Sequence, residues 1–262
     1  MSQQLLTTTR DPRGVLTLTL NRPEIHNAFN DRLVAALTER IEAAGHDSDV
    51  RVLLLAGEGK SFSAGADLNW MRSKAEAAES ENLADALALA GLMERLDRLP
   101  KPTIARVHGP AFGGGVGLIA CCDIAIGTPQ VKMALSEVKL GLVPAVIGPY
   151  VVRAIGPRQA RRYFQTAETM NADTAQRLGL LHEVVAATVL DERIAEIVNS
   201  VLGAGPAALE TAKKLVALTQ EDRPAKLSRR TAEIIARLRA SAEGREGLSA
   251  FLEKRQPKWH HG

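Results

Sequence analysis

Residues 107–123 read Val-His-Gly-Pro-Ala-Phe-Gly-Gly-Gly-Val-Gly-Leu-Ile-Ala-Cys-Cys-Asp. The run Thr103-Ile104-Ala105-Arg106-Val107 before it predicts a buried strand, and His108-Gly109-Pro110 a turn. Three glycines, Gly113, Gly114 and Gly115, then open an apolar helical run from Val116 to Cys122. Glycine lets backbone approach a ligand closely, and the first N–H groups of a helix have no partner within it. A strand, glycine turn and helix start in that order bind an anion, or stabilise negative charge that appears on an oxygen during reaction.

Upstream, Val15-Leu16-Thr17-Leu18-Thr19-Leu20 alternates apolar residues with threonine and predicts a strand ended by Asn21-Arg22-Pro23. Asn30 is placed to cap a helix that carries Leu33, Leu37, Ile41 and Ala44 on one face. Val50 to Ala56 is almost continuously apolar, as a strand covered on both faces would be. The small, polar loop Ser61-Phe62-Ser63-Ala64-Gly65-Ala66-Asp67-Leu68 leads into a short helix near Asn69 to Ala75. Residues 72–82 carry no apolar period, and a helix with Leu83, Leu87, Leu92 and Leu96 follows.

Downstream, Ile124 to Ile126, Val131 to Leu135 and Glu183 to Val185 predict short strands. Helices are expected at Pro157 to Thr166, Ala172 to Leu178, Leu190 to Leu202, Ala207 to Thr219, Pro224 to Ser241 and Glu243 to Lys254. Strands alternate with helices early and helices run consecutively late. That order predicts an α/β core over residues 1–202 and a helical region over 203–262.

Composition narrows the function. The 262 residues are 45% hydrophobic and 3% aromatic, so Ala, Leu, Val and Ile must fill the core. The formal charge of +3 is dispersed, without a dense basic run, which argues against a nucleic-acid partner. No apolar run reaches membrane-spanning length and Met1 to Arg10 lacks a signal-peptide core, so a soluble, cytoplasmic protein is expected. Cys121 and Cys122 are adjacent, unsuited to an ordinary disulfide or a metal site, and read as buried small hydrophobes. No metal is expected.

Five blocks in register resemble the crotonase superfamily, the enoyl-CoA hydratases and isomerases. They are Leu20-Asn21-Arg22-Pro23 with Asn27-Ala28, Phe62 to Leu68, Gly109 to Asp123, Leu140-Gly141-Leu142-Val143-Pro144, and Phe251 to Arg255. The resemblance implies a spiral of β-β-α turns with a C-terminal helical region that joins subunits as trimers or dimers of trimers. It implies an acyl-CoA substrate, with coenzyme A as part of that substrate and no separate cofactor. By the same resemblance, the backbone N–H groups of Ala66 and Gly114 form an oxyanion hole. Ala64, Asp67, Leu68, Asn69, Gly113 and Gly117 would line the acyl path, and Ile25 would lie beside the CoA portion.

The family's hydratases use two glutamates around a water. The second corresponds to Glu137; the first corresponds to Gly117, so that carboxylate is missing. One base beside an oxyanion hole suffices to move a proton between Cα and Cγ, so mechanism alone favours isomerisation. Residues 63–71 and 136–145, Pro149 to Gly156, and Arg161-Arg162-Tyr163 instead resemble the methylglutaconyl-CoA and isohexenylglutaconyl-CoA hydratases. Such substrates carry their own carboxylate, which could fill a space left at Gly117 or order the water that Glu137 activates. The leading expectation is hydration of a branched or carboxylated 2-enoyl-CoA. The alternatives are Δ3–Δ2 enoyl-CoA isomerisation and a CoA-binding paralogue with little catalysis.

Overall fold

The computed structural model describes residues 4–74, 77–221 and 241–259. A six-stranded sheet runs in the order β1 (Leu6–Arg10), β2 (Val15–Leu20), β3 (Val52–Gly57), β4 (Thr103–Val107), β6 (Ile124–Gly127), β9 (Glu183–Val184). Only the edge pair β1–β2 is antiparallel. A second sheet contains β5 (Ala111–Phe112), β7 (Lys132–Ala134) and β8 (Met170–Asn171). Two isolated parallel bridges, Phe29 with Ala66 and Ser63 with Ala111, extend that second layer.

The chain repeats one move four times. It runs up a strand of the large sheet, crosses a short extended segment in the second layer, and returns through helix. The segment at Phe29 leads to α1 (Asp31–His46), and the segment at Ser63 to Ala66 leads to α2 (Leu68–Lys74) and α3 (Glu79–Asp97). Strand β5 leads to α4 (Gly114–Cys121), and β7 leads to a 3-10 turn at Glu137–Leu140 and then α5 (Gly148–Thr166). This is the β-β-α spiral of the crotonase fold. Helices α6 (Ala172–Leu178), α7 (Leu190–Leu202), α8 (Pro206–Glu221) and α9 (Ala242–Leu252) complete the described chain.

Both faces of β3 are covered, as its apolar run requires. Leu53 and Leu55 join the main core with Leu33, Leu37 and Ile41 of α1. Val52 faces a smaller cluster with Ile104, Ile126 and Leu190, Ile194 and Val198 of α7. The Asn30 side chain caps α1, accepting from the Leu33 N–H at 2.9 Å.

Some expectations change. Leu6–Arg10 forms an additional edge strand, whose run of three threonines shows no apolar alternation. In α3 only the C-terminal half is core: Leu92 and Leu96 are buried, whereas Leu83 and Leu87 are exposed. Helix α5 begins at Gly148 and is kinked at Gly156, whose φ of 76° lies outside helical geometry, just before Pro157. The predicted helix Pro224 to Ser241 lies almost entirely outside the described residues. Residues 203–205 separate α7 from α8, and Lys213 Nζ of α8 meets Asp123 Oδ2, just beyond α4, at 2.9 Å.

Candidate active site

The second layer brings the two predicted oxyanion donors together, because Ala66 ends, and Gly114 closely follows, the second-layer segments of adjacent spiral turns. Gly65 has φ +81°, and a Cβ there would lie 2.7 Å from the Phe112 carbonyl oxygen and 3.5 Å from the Gly114 nitrogen. Only glycine permits that approach and that backbone angle together. Gly113, at φ +48°, turns the chain into α4 while its N–H donates to the Ala134 carbonyl of β7 at 3.0 Å. Among the described residues, neither the Ala66 nor the Gly114 N–H donates a hydrogen bond within the protein. Ala66 is exposed and Gly114 half-buried, so both donors remain available. The start of α4 adds partial positive charge to the same place.

Glu137 enters from the next turn. Pairing of β5 with β7 sets Phe112 against Ala134, and the chain reaches Glu137 three residues later. Its Oε1 lies 3.1 Å from where a Cβ on Gly113 would stand. Its Oε2 is buried without a hydrogen-bond partner. Burial pushes the Glu137 carboxyl above the usual carboxylate range, a pull that its own backbone N–H only partly opposes. A carboxyl that is buried, unpaired and beside an oxyanion hole suits proton transfer near neutral pH.

The space expected at Gly117 is closed. A Cβ at Gly117 would lie 2.2 Å from Ile147 Cγ2, 2.8 Å from Ile147 Cβ and 3.2 Å from Met93 Cε. Ile147, only 3% exposed, fills the volume that a side chain at 117 would take. Gly117 therefore offers no seat for a substrate carboxylate. Sequence reading missed Ile147 because it stands before α5, and nothing local marks it as the neighbour of α4.

Asp67 also differs from a residue that presents its carboxylate to the acyl path. It is buried, with Oδ1 accepting from the Asn69 N–H at 2.8 Å and Oδ2 from Arg22 at 2.8 Å. Arg22 in turn donates to the Ala28 carbonyl at 2.6 Å. Burial alone would raise the Asp67 carboxyl, but the Asn69 N–H, Arg22 and the Trp70 N–H together hold it below its ordinary 3.8. This stabilisation is present above the unfolded value and is lost as pH falls through the lower folded value. Asp67→Asn leaves the Arg22 guanidinium, 12% exposed, without its counter-charge. A loss of about 3 kcal/mol is expected in urea unfolding at neutral pH. Protonation of Asp67 removes the pair from the wild type as well, so the gap between the two should narrow in strong acid.

Asn27, completely buried, staples the turn after β2 to the loop bearing Ala66. Its amide nitrogen donates to the carbonyls of Glu58 and Ser61, both at 2.8 Å, and its Oδ1 accepts from the Arg22 N–H at 2.9 Å. The Ala64 N–H donates to the His26 carbonyl at 2.8 Å, which places half-buried Ile25 on the turn adjoining Ala64. Leu68, 69% exposed, and Asn69 stand at the start of α2. Leu140, Leu142 and Val143 after Glu137 are likewise exposed.

Other polar residues are structural. His108 Nε2 lies 3.0 Å from the Gly59 carbonyl oxygen, so Nε2 carries the proton there. Asp123 accepts from the Thr103 N–H and hydroxyl at 2.8 and 2.9 Å. Cys121 and Cys122 are buried free thiols, and burial pushes both upward, Cys122 to about 12.

The spiral thus gathers the two N–H groups without an internal partner and the buried Glu137 carboxyl around one glycine turn. Residues 10–262 match the model of the enoyl-CoA hydratase/isomerase family, and the chain belongs to that family. The crystal structure of an enoyl-CoA hydratase from Shewanella pealeana superposes with a TM-score of 0.94 at 44% identity, covering 98% of this chain and 97% of that one. The 2,3-dehydroadipyl-CoA hydratase of Escherichia coli is 33% identical over 93% of this chain and 94% of its own. The crotonyl-CoA hydratase of Syntrophomonas wolfei is 33% identical over 91% and 92%. Among the described residues no helix is long and apolar enough to cross a membrane.

Proposed function

We propose that this enzyme hydrates the double bond of a branched or carboxylated 2-enoyl-CoA, with Glu137 as the acid/base group. The supporting observation is the buried, unpartnered Oε2 of Glu137 beside the glycine turn that presents the Gly114 N–H. Water adds its oxygen to Cβ while Glu137 takes a proton from it. A proton from Glu137 then goes to Cα. Between the two, the thioester oxygen carries enolate charge and accepts from the N–H groups of Ala66 and Gly114. Those donors act most strongly on the charge-bearing oxygen, so they favour the transition state over the bound substrate.

The acyl preference follows from the residue that is missing. With Gly117 in place of a second carboxylate, and Ile147 filling its space, nothing there orders the water. A carboxylate carried by the substrate supplies that order from the Glu137 side. The Escherichia coli relative, by its name, acts on a dicarboxylic acyl group. The test compares 3-methylglutaconyl-CoA with crotonyl-CoA. The reading requires hydration of the first at a clearly higher kcat/KM; equal rates would remove the role of the substrate carboxylate.

The apolar plug at Ile147 also favours a second reading, in which Glu137 shuttles a proton between Cα and Cγ of a 3-enoyl-CoA without water. Conversion of such a substrate at unchanged mass, faster than any hydration, would put isomerisation first. Assembly as trimers or dimers of trimers is part of the same proposal, and sedimentation equilibrium reads it directly.

A further inference from the structure

We propose that Phe29 is a positioning residue that fixes the two oxyanion donors relative to each other; this rests on the reading of Ala66 and Gly114 as those donors. Phe29 is 2% exposed and touches both loops by different parts of itself. Its backbone brackets Ala66: the Phe29 N–H donates to the Gly65 carbonyl at 2.6 Å, and its carbonyl accepts from the Asp67 N–H at 2.8 Å. In a parallel bridge, the residue between two such bonds turns its own N–H to the opposite side. Phe29 thereby aims the Ala66 N–H away from itself and leaves it free.

The ring holds the other donor. A Cβ on Gly114 would lie 2.7 Å from Phe29 Cε2 and 3.0 Å from Cδ2, so the ring edge rests where a Gly114 side chain would stand. One residue therefore sets the position of Ala66 through hydrogen bonds and of Gly114 through van der Waals contact. Phe29 is itself held from both sides, since Asn27 staples the preceding turn and Asn30 caps the following helix. The glycine at 114 is explained in the same way, because a larger residue would push the ring and the donor apart.

Truncation of the ring should act on the reaction more than on binding. Phe29→Ala keeps the backbone bracket but removes the support under Gly114. A drop in kcat of about ten- to a hundredfold is expected, with KM little changed, because a donor misplaced by a fraction of an ångström loses most of its effect on the enolate oxygen. Phe29→Leu, which refills part of the space, should recover much of the loss. The spectroscopic reading uses a conjugated cinnamoyl-type CoA thioester, whose absorption shifts to the red when its carbonyl is polarised. The wild type should show the shift, Phe29→Ala a smaller one, and Phe29→Leu an intermediate one, each measured on protein that is folded by circular dichroism.

A full red shift and full kcat per folded molecule in Phe29→Ala would overturn the proposal. If Phe29→Ala does not fold, the same readings on Phe29→Leu and Phe29→Met decide it, and unchanged kcat and shift in both overturn it. A wild type that polarises the thioester but hydrates no enoyl-CoA would defeat the hydratase reading alone, since the shift still reports what Phe29 does to the donors.

Discussion

Glu137→Gln is expected to lower turnover by about a thousandfold while an unreactive acyl-CoA binds as before. The substitution keeps the shape of the side chain and removes its ability to carry a proton. The oxyanion donors proposed above are backbone N–H groups of Ala66 and Gly114, and the substitution leaves them untouched. The carboxyl of the wild type already has an unpaired, buried Oε2, so the amide inherits a site that demands no particular partner. Activity of the wild type should also fall in acid with a midpoint above the ordinary glutamate value of 4.5, because burial raises this carboxyl and hydration needs its ionised form. Retention of full turnover by Glu137→Gln would make the chain a CoA binder, or place the acid/base group elsewhere. Stopped turnover together with lost binding would mean that Glu137 shapes the pocket instead.

Restoring a carboxylate at 117 should fail alone and succeed with help. In Gly117→Glu even the Cβ meets Ile147 Cγ2 at 2.2 Å, and the rest of the side chain has no room. Gly117→Ala is the milder probe: overpacking of this kind costs about 2 kcal/mol. In the background Ile147→Ala the same change should cost clearly less, although the remaining Cβ contact at 2.8 Å still has to relax. The non-additivity of the two changes in a double-mutant cycle measures the contact directly. Gly117→Glu with Ile147→Ala should then raise crotonyl-CoA hydration above the wild type, since a protein carboxylate replaces the one the substrate would bring. Strict additivity in the stability cycle would show that Ile147 does not occupy the side-chain space of residue 117.

Much of the scaffold was legible because it follows from period and capping. The alternation at Val15–Leu20, the doubly apolar run at Val52–Gly57 and the Asn30 cap each specify a local structure that long-range packing then uses. The glycines at 65 and 113–115 and the placement of Glu137 were readable through the family resemblance. What escaped was most of the second layer, apart from the strand expected at Val131 to Leu135. Ala111–Phe112 and Met170–Asn171 are two residues each, too short to show a period, and the bridge between Phe29 and Ala66 leaves no trace in either segment alone. The same reason hides Ile147, whose importance lies in a steric contact with a residue in another turn of the spiral. Asp67 shows the opposite case: the resemblance placed the residue along the acyl path, and nothing local in the sequence announced that the buried Arg22 and the Asn69 N–H hold its carboxylate.

Solvent labelling separates hydration from isomerisation: the wild-type protein is run with 3-methylglutaconyl-CoA in water enriched in heavy oxygen and, separately, in deuterium oxide. Hydration with Glu137 as the acid/base group predicts a product that carries one heavy oxygen at Cβ in the first solvent and one deuteron at Cα in the second, with both labels appearing about a thousandfold more slowly in the Glu137→Gln reaction. A product that takes up solvent hydrogen without solvent oxygen, at the mass of an isomer, would contradict hydration and make Glu137 a proton shuttle.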